Sequence, residues 1–217
     1  MSDDERPVAV LGGGLAGLTA ATYLRRHGVP VIADEVMTGN RLGARWACQF
    51  AGVAPDLICA SKTLTGGLMP LAVTLASPGV VAGFDTDDLA RSLLHGHSFT
   101  AHPLACAVAA ENERIVADPA VHRRAVEIGA FWERELGSLR GRPGVRDVRV
   151  CGSVAAVELD AEGGYLAPVG EWLHPLAVGR GVLLRPLGNV VYALPPLGSS
   201  EESLMRIADV MRAAASS

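Results

Sequence analysis

Residues Val8 to Glu35 order their apolar and glycine residues in a way that few folds accept. Val8, Ala9, Val10 and Leu11 form a short apolar run, and Gly12-Gly13-Gly14-Leu15-Ala16-Gly17 follows with GxGxxG spacing. A helical stretch then runs to His27, Gly28 stops it, and Val29 to Ile32 is a second apolar run. Strand, glycine turn, helix and strand in so short a span predict a βαβ unit, because parallel neighbours need a crossover and a helix supplies one. Asp56 to Ser61 and Leu71 to Leu75 read as further buried strands of the same α/β sheet.

Two helices are expected next, over Pro103 to Val116 and Pro119 to Leu139. In the second, Asp118 can cap, Pro119 suits the first turn, and Ala125, Ile128, Trp132, Leu136 and Leu139 fall on one face. The pattern changes near Gly141. Arg142-Pro143-Gly144 is a turn and Val145 to Leu159 alternates loosely as strand. Val182 to Leu184 and Val190 to Leu194 read as a hairpin around Gly188-Asn189. Ser199-Ser200-Glu201-Glu202 has a capping-box signature ahead of Leu204, Ile207, Ala208 and Met211 at helical spacing. The expected organisation is a Rossmann-like βα glycine-loop segment over 1–28, a partial large domain over 29–140 and a small α+β domain over 141–217.

Composition narrows the function classes. With 49% hydrophobic and 19% charged residues the chain can bury a core, which excludes disorder as its main state. The longest apolar run, Leu71 to Val81, is broken by Thr74, Ser77 and Pro78 and is too short to span a bilayer. Asp3, Asp4 and Glu5 at the start are unlike a secretory or transit peptide. A net charge of −4 gives no reason to expect nucleic acid or an anionic membrane. Cys48, Cys59, Cys106 and Cys151 are widely spaced without a CxxC, so neither a disulfide framework nor a zinc finger is expected. These features together predict a cytoplasmic protein.

One count points at chemistry. Of the 19 basic residues, Lys62 alone is lysine. Arginine replaces lysine at most surface positions, but its guanidinium stays protonated and cannot form an imine. A lone lysine is therefore a candidate nucleophile. Asp34, at the end of one apolar run, and Lys62, at the end of the next and ahead of Gly66-Gly67, would both face the ligand crevice of an open α/β sheet. A pyridoxal phosphate enzyme needs such a pair: a lysine to hold the cofactor, and a carboxylate to keep its pyridine nitrogen protonated. Gly12, Gly14 and Gly17 suit a dinucleotide loop, with Asp34 or Glu35 near the distance expected of a ribose ligand. Ser98 and Thr100, just ahead of a helix, are candidate phosphate donors. His95, His97 and His102 have no acidic partner at ligand spacing, so no metal site is expected.

The runs VIADEVMTG, SKTLTGG and HGHSFTAHPLACA occur in the order of three blocks of one family. From about Arg26 to the C-terminus the chain resembles the second half of a class III, fold-type I aminotransferase. Two C-terminal runs, VRDVRVCGSVAAVEL and GVLLRPLGNVVYALPP, are similar to the biotin-pathway branch, which moves an amino group from S-adenosylmethionine to 8-amino-7-oxononanoate. The N-terminal run LGGGLAGLTAATYL resembles the opening of FAD-dependent amine oxidases.

The aminotransferase resemblance implies a partial large domain of the fold-type I pyridoxal phosphate transferases, followed by the small α+β domain. It implies that Lys62 holds pyridoxal 5'-phosphate and shuttles a proton, that Asp34 pairs with the pyridinium nitrogen, and that Val36 packs against the ring. Ser98 stands where the family binds cofactor phosphate across a dimer interface. Arg185 would hold a substrate carboxylate, with Tyr192 nearby. The implied partners are a small amino donor, a keto acceptor and a second or complementing chain. After Gly39 the family runs on as a Gly-Phe-Gly-Arg-Thr-Gly type loop, whereas this chain has Asn40-Arg41-Leu42-Gly43. The sequence therefore reads as a truncated or fused aminotransferase half. The alternatives are an FAD or NAD(P) module built on Gly12, Gly14, Gly17 and Glu35, or a remnant that folds without catalysing.

Overall fold

The computed structural model describes residues 8–11 (as backbone), 24 and 27–216. The chain divides into two compact units, residues 1–122 and 123–217.

The first unit is built on a four-stranded sheet in the order β1 (Val8–Leu11), β2 (Val31–Asp34), β3 (Leu57–Ala60), β4 (Val73–Ala76). β1, β2 and β3 run parallel, with Leu11 opposite Asp34 and Asp34 opposite Cys59. The helix expected between β1 and β2 falls largely outside the described residues. At its end Gly28 adopts a φ of 72°, and the Leu24 carbonyl accepts from the amides of His27 and Val29. A short helix α1 (Ala47–Phe50) covers β2, where Val31, Cys48 and Val53 form a small core with Trp46, Ala51 and Ile58 around it. After β4 come a short helix α2 (Pro78–Ala82) and the longer α3 (Pro103–Val116).

β4 departs from the sequence reading of a buried strand. It pairs antiparallel with β3 at the sheet edge, and its residues are exposed or half-buried, Leu75 included. An edge strand has a ladder partner on one side only, so an apolar run alone does not mark burial.

The second unit has a core drawn from every element in it. α4 (Pro119–Leu136) buries Ala125, Ile128, Phe131, Trp132 and Leu136, the face its periodicity marks. β5 (Val145–Cys151) and β6 (Val154–Leu159) form a hairpin, and β7 (Val190–Ala193) extends it antiparallel. α5 (Val169–Gly179) and α6 (Glu201–Ala214) complete the packing with Leu173, Ala177, Leu204, Ala208 and Met211. Gly129 is required where α4 meets the hairpin turn, since a Cβ there would stand 2.6 Å from the Gly152 carbonyl oxygen. The indole nitrogen of Trp132, fully buried, donates to the Ser153 carbonyl at 2.9 Å.

Three further readings need correction. Val182 to Leu184 is not a strand: the hairpin shrinks to one bridge, Leu187 to Val190, around Gly188-Asn189, and Pro186 has no amide to extend the ladder. The cap of α6 is a simple one, with Ser200 Oγ accepting from the Ser203 amide at 3.2 Å, because a serine and not a glutamate occupies the third helical position. α5 escaped the sequence reading because Gly170, Pro175 and Gly179 spell a loop, yet Pro175 sits on its exposed side while Leu173 and Ala177 are buried. Among the described residues no helix is long and apolar enough to cross a membrane.

Trp132 joins helix and hairpin by both volume and hydrogen bond. Trp132→Ala is expected to destabilise the second unit by about 3–5 kcal/mol, read as a lower urea midpoint with an unchanged slope.

Candidate active site

The parallel ladder between β2 and β3 carries Asp34 and Lys62 to the same end of the sheet. Asp34 is the last residue of β2, level with Cys59. β3 ends at Ala60, Ser61 is extended, and the chain enters a 3-10 turn over Lys62–Thr65. Both side chains thus leave from the carboxyl ends of adjacent parallel strands, where open α/β sheets hold ligands.

Lys62 has a φ of +42°, a conformation that residues with a Cβ adopt rarely and only when their surroundings hold them in it. Here the surroundings are dense. The Leu64 amide donates to Ser61 O at 2.9 Å, the Gly67 amide to Lys62 O at 3.2 Å, and Gly66 closes the turn with a φ of 60°. Ser61 Oγ donates to Leu71 O at 2.7 Å, and Thr65 Oγ1 donates to Met69 O at 2.6 Å. The side chain of Lys62 is exposed, and its amine makes no hydrogen bond or ion pair with a described residue.

The segment after Asp34 is fixed by its neighbour. Glu35 is 2% exposed, and its carboxylate accepts from the Ala47 amide at 2.9 Å, the Cys48 amide at 2.8 Å and Thr38 Oγ1. Those bonds satisfy the first-turn donors of α1 and close the loop over residues 36–46. The ribose-ligand reading of Glu35 is corrected by this geometry, since its carboxylate is buried and spent on its own backbone. Asp34 differs. One of its oxygens accepts from the Val36 amide at 3.0 Å, and the other takes no bond from a described residue. Val36 lies half-buried beside it. Gly12, Gly14 and Gly17 lie outside the described residues.

Ser98 is exposed in the turn ahead of α3, while Thr100 Oγ1 is engaged by the His97 amide at 2.8 Å. His102 caps α3, its Nδ1 accepting from the Ala105 amide at 3.4 Å. A groove of about 900 Å³ runs between β4 and this turn, lined by Ser61, Leu71, Thr74, His97, Phe99 and His102 among others. Among the described residues no cluster of His, Cys, Asp or Glu is arranged to hold a metal. Arg185 and Tyr192 belong to the second unit. Arg185 is exposed on the extended stretch before Pro186, and Tyr192 is half-buried on β7, opposite Ala156. In the first unit, the strand register places Asp34 and Lys62 at the same end of the sheet.

Three contributors were not expected from the sequence. Glu35 holds the loop. Thr63 Oγ1 donates to Gly39 O at 2.9 Å, and Asn112 Nδ2 donates to Thr63 O at 2.7 Å and Leu64 O at 3.2 Å. Asn112 did leave a signal. It continues the i, i+4, i+7 face of Ala105 and Ala109, both buried, so a polar amide stands where the helix faces its unit.

The model of the class-III aminotransferases matches residues 15–215. The chain belongs to the class-III aminotransferase family. The adenosylmethionine-8-amino-7-oxononanoate aminotransferase of Synechococcus elongatus is 44% identical over 178 residues, which is 81% of this chain and 42% of that protein. An omega-aminotransferase of Caulobacter vibrioides is 32% identical over 86% of this chain and 43% of its own length. Among solved structures, an amine transaminase from an uncultivated Pseudomonas species in its PLP-bound form matches with a TM-score of 0.79 and 29% identity, over 91% of this chain and 46% of that one. This class-III chain therefore spans less than half the length of these relatives.

Burial and the adjacent Glu35 charge push the Cys48 thiol up to about 11. An unfolded cysteine releases its proton near 8.5, so between about 9 and 11 the unfolded state binds fewer protons and stability falls as pH rises. Cys48→Ala is expected to flatten that alkaline decline in pH-dependent urea melts of the first unit.

Proposed function

We propose that this chain supplies the cofactor-anchoring half of a pyridoxal phosphate-dependent aminotransferase. The observation that carries the reading is that Asp34 and Lys62 share one end of the sheet, at the carboxyl ends of the adjacent parallel strands β2 and β3. The donor set fits the group. A primary amine without a described partner, a carboxylate with one free oxygen and the apolar Val36 beside it match an aldehyde, a pyridine nitrogen and a ring face.

Pyridoxal phosphate, when bound, supplies an electron sink for the pair left behind when a proton leaves the amino donor's Cα. Lys62 Nζ is the atom that would attach to its aldehyde carbon and, once displaced by the donor's amine, carry the Cα proton. Asp34, through the oxygen its own backbone leaves free, would hold the proton of the ring nitrogen. Val36 would press on one face and keep water from it. Ser98, with a hydroxyl free of described partners, would donate to a cofactor phosphate across the interface with a second chain. Arg185 would orient the substrate carboxylate by a charged, two-pronged hydrogen bond, with Tyr192 beside it.

Relatives at 44% and 37% identity carry the name adenosylmethionine-8-amino-7-oxononanoate aminotransferase, which favours adenosylmethionine as amino donor and 8-amino-7-oxononanoate as acceptor in biotin synthesis. Exposed Leu68, Leu75, Leu93, Leu94 and Phe99 in the first unit support association with a second chain, as a homodimer or with a complementing polypeptide. Four free cysteines suit a reducing compartment such as the cytoplasm.

The single lysine makes the test clean. Pyridoxal phosphate is added, the reversible link is reduced with borohydride to a stable secondary amine, and peptides are mapped by mass. The expected result is a phosphopyridoxyl group on Lys62, absent in Lys62→Ala and weakened in Asp34→Asn. A chain that takes no label at Lys62 would overturn the reading.

A further inference from the structure

We infer that Asn112 is a positioning residue for Lys62, clamping the turn that presents the amine. The inference rests on the reading of Lys62 as the cofactor-anchoring lysine, and adds a residue from a different element to that site.

A left-handed lysine is retained only where its turn has nowhere better to relax. Leu64 and Thr65 are buried and Thr63 is half-buried, so the carbonyls of this turn are partly shielded from water and a protein donor to them counts. Thr63 O accepts from the Gly66 amide at 3.2 Å and from Asn112 Nδ2 at 2.7 Å. Leu64 O accepts from the same nitrogen at 3.2 Å. One side-chain amide therefore spans two successive carbonyls directly after Lys62. The orientation of the amide follows from the chemistry, because a flipped Asn112 would aim its oxygen at both carbonyls. Its actual oxygen lies over Gly66, where an added Cβ would stand 3.1 Å away, so the φ of +60° at Gly66 and the clamp share one geometry.

Asn112 reaches the turn because Ala105 and Ala109, on the same helical face, let α3 lie close to it. The next residue, Glu113, pairs with Arg45 from the loop that follows Asp34. That loop in turn accepts from Thr63 Oγ1 through Gly39 O at 2.9 Å. α3 thus holds the lysine turn and the loop after the carboxylate from one side, and Asn112 is its contact on the two carbonyls that follow Lys62.

The test separates positioning from bulk stability by comparing two reactions at the single lysine. Capture of pyridoxal phosphate needs the amine in one place, whereas reductive methylation by formaldehyde needs only an exposed amine. Asn112→Ala, a substitution that favours helix, is expected to lower the equilibrium capture of pyridoxal phosphate about tenfold, the scale of one lost pair of hydrogen bonds, with methylation unchanged. Asn112→Gln, which keeps the amide on a longer arm, is expected to recover part of the loss. It carries the comparison alone if the alanine variant does not fold. Arg114→Ala, which removes an exposed ion pair with Glu111 on the same helix, is expected to leave capture at the wild-type level.

Wild-type capture in Asn112→Ala and in Asn112→Gln would overturn the inference, as would an equal loss in Arg114→Ala. If the wild-type chain captures no pyridoxal phosphate, the functional reading fails. The clamp is then decided by amide exchange without cofactor: faster exchange at residues 62–66 in Asn112→Ala and not in Arg114→Ala supports it, and equal exchange contradicts it.

Discussion

Everything the candidate site can do depends on the parallel hydrogen-bond ladder between β2 and β3. In a parallel pair the two strands end on the same side, so the residues that follow them share one rim. Asp34 is level with Cys59, and Lys62 comes three residues later in the chain. An antiparallel pairing would send one of the two to the opposite edge. No side-chain contact between Asp34 and Lys62 is needed to bring them together, because the backbone register does it.

The rim is stiffened by polar groups used inwardly. Glu35 turns its carboxylate into the protein to meet the amides of Ala47 and Cys48, and in doing so anchors the loop after Asp34. Gly39 and Thr63 join that loop to the lysine turn, and Asn112 fixes the turn to α3. Asp34 and Lys62, by contrast, are left with unspent capacity. Adjacent residues 34 and 35 are both acidic, yet Glu35 is spent on backbone amides while one oxygen of Asp34 takes no bond from a described residue.

The α/β class, the parallel strands and the buried face of α4 were legible because each rests on local periodicity: apolar runs ending at glycine, or Ile128, Trp132 and Leu136 at helical spacing. The two rim residues were legible for a different reason, namely that a lone lysine and a strand-ending aspartate are rare residue choices in those places. What stayed hidden was decided by neighbours distant in sequence. β4 carries an apolar run yet lies exposed, since burial depends on what covers a strand and not on its own composition. α5 overrides Pro175 through the packing of Leu173 and Ala177, which a local reading of proline cannot foresee. Glu35 looked like a ligand because spacing places it near a ribose, and only the fold of residues 36–48 shows the backbone amides it serves.

The most direct test of the central claim, that Asp34 and Lys62 together hold a protonated pyridine cofactor, is a nitrogen NMR spectrum of pyridoxal phosphate labelled with 15N in its ring. With the wild-type chain the expected resonance is that of a protonated pyridinium nitrogen persisting above the pH at which the free cofactor loses that proton. With Asp34→Asn it should revert to the unprotonated position while Lys62 still carries the label. The same nitrogen shift in both chains would contradict the account, because the carboxylate at the end of β2 would then have no part in holding the ring.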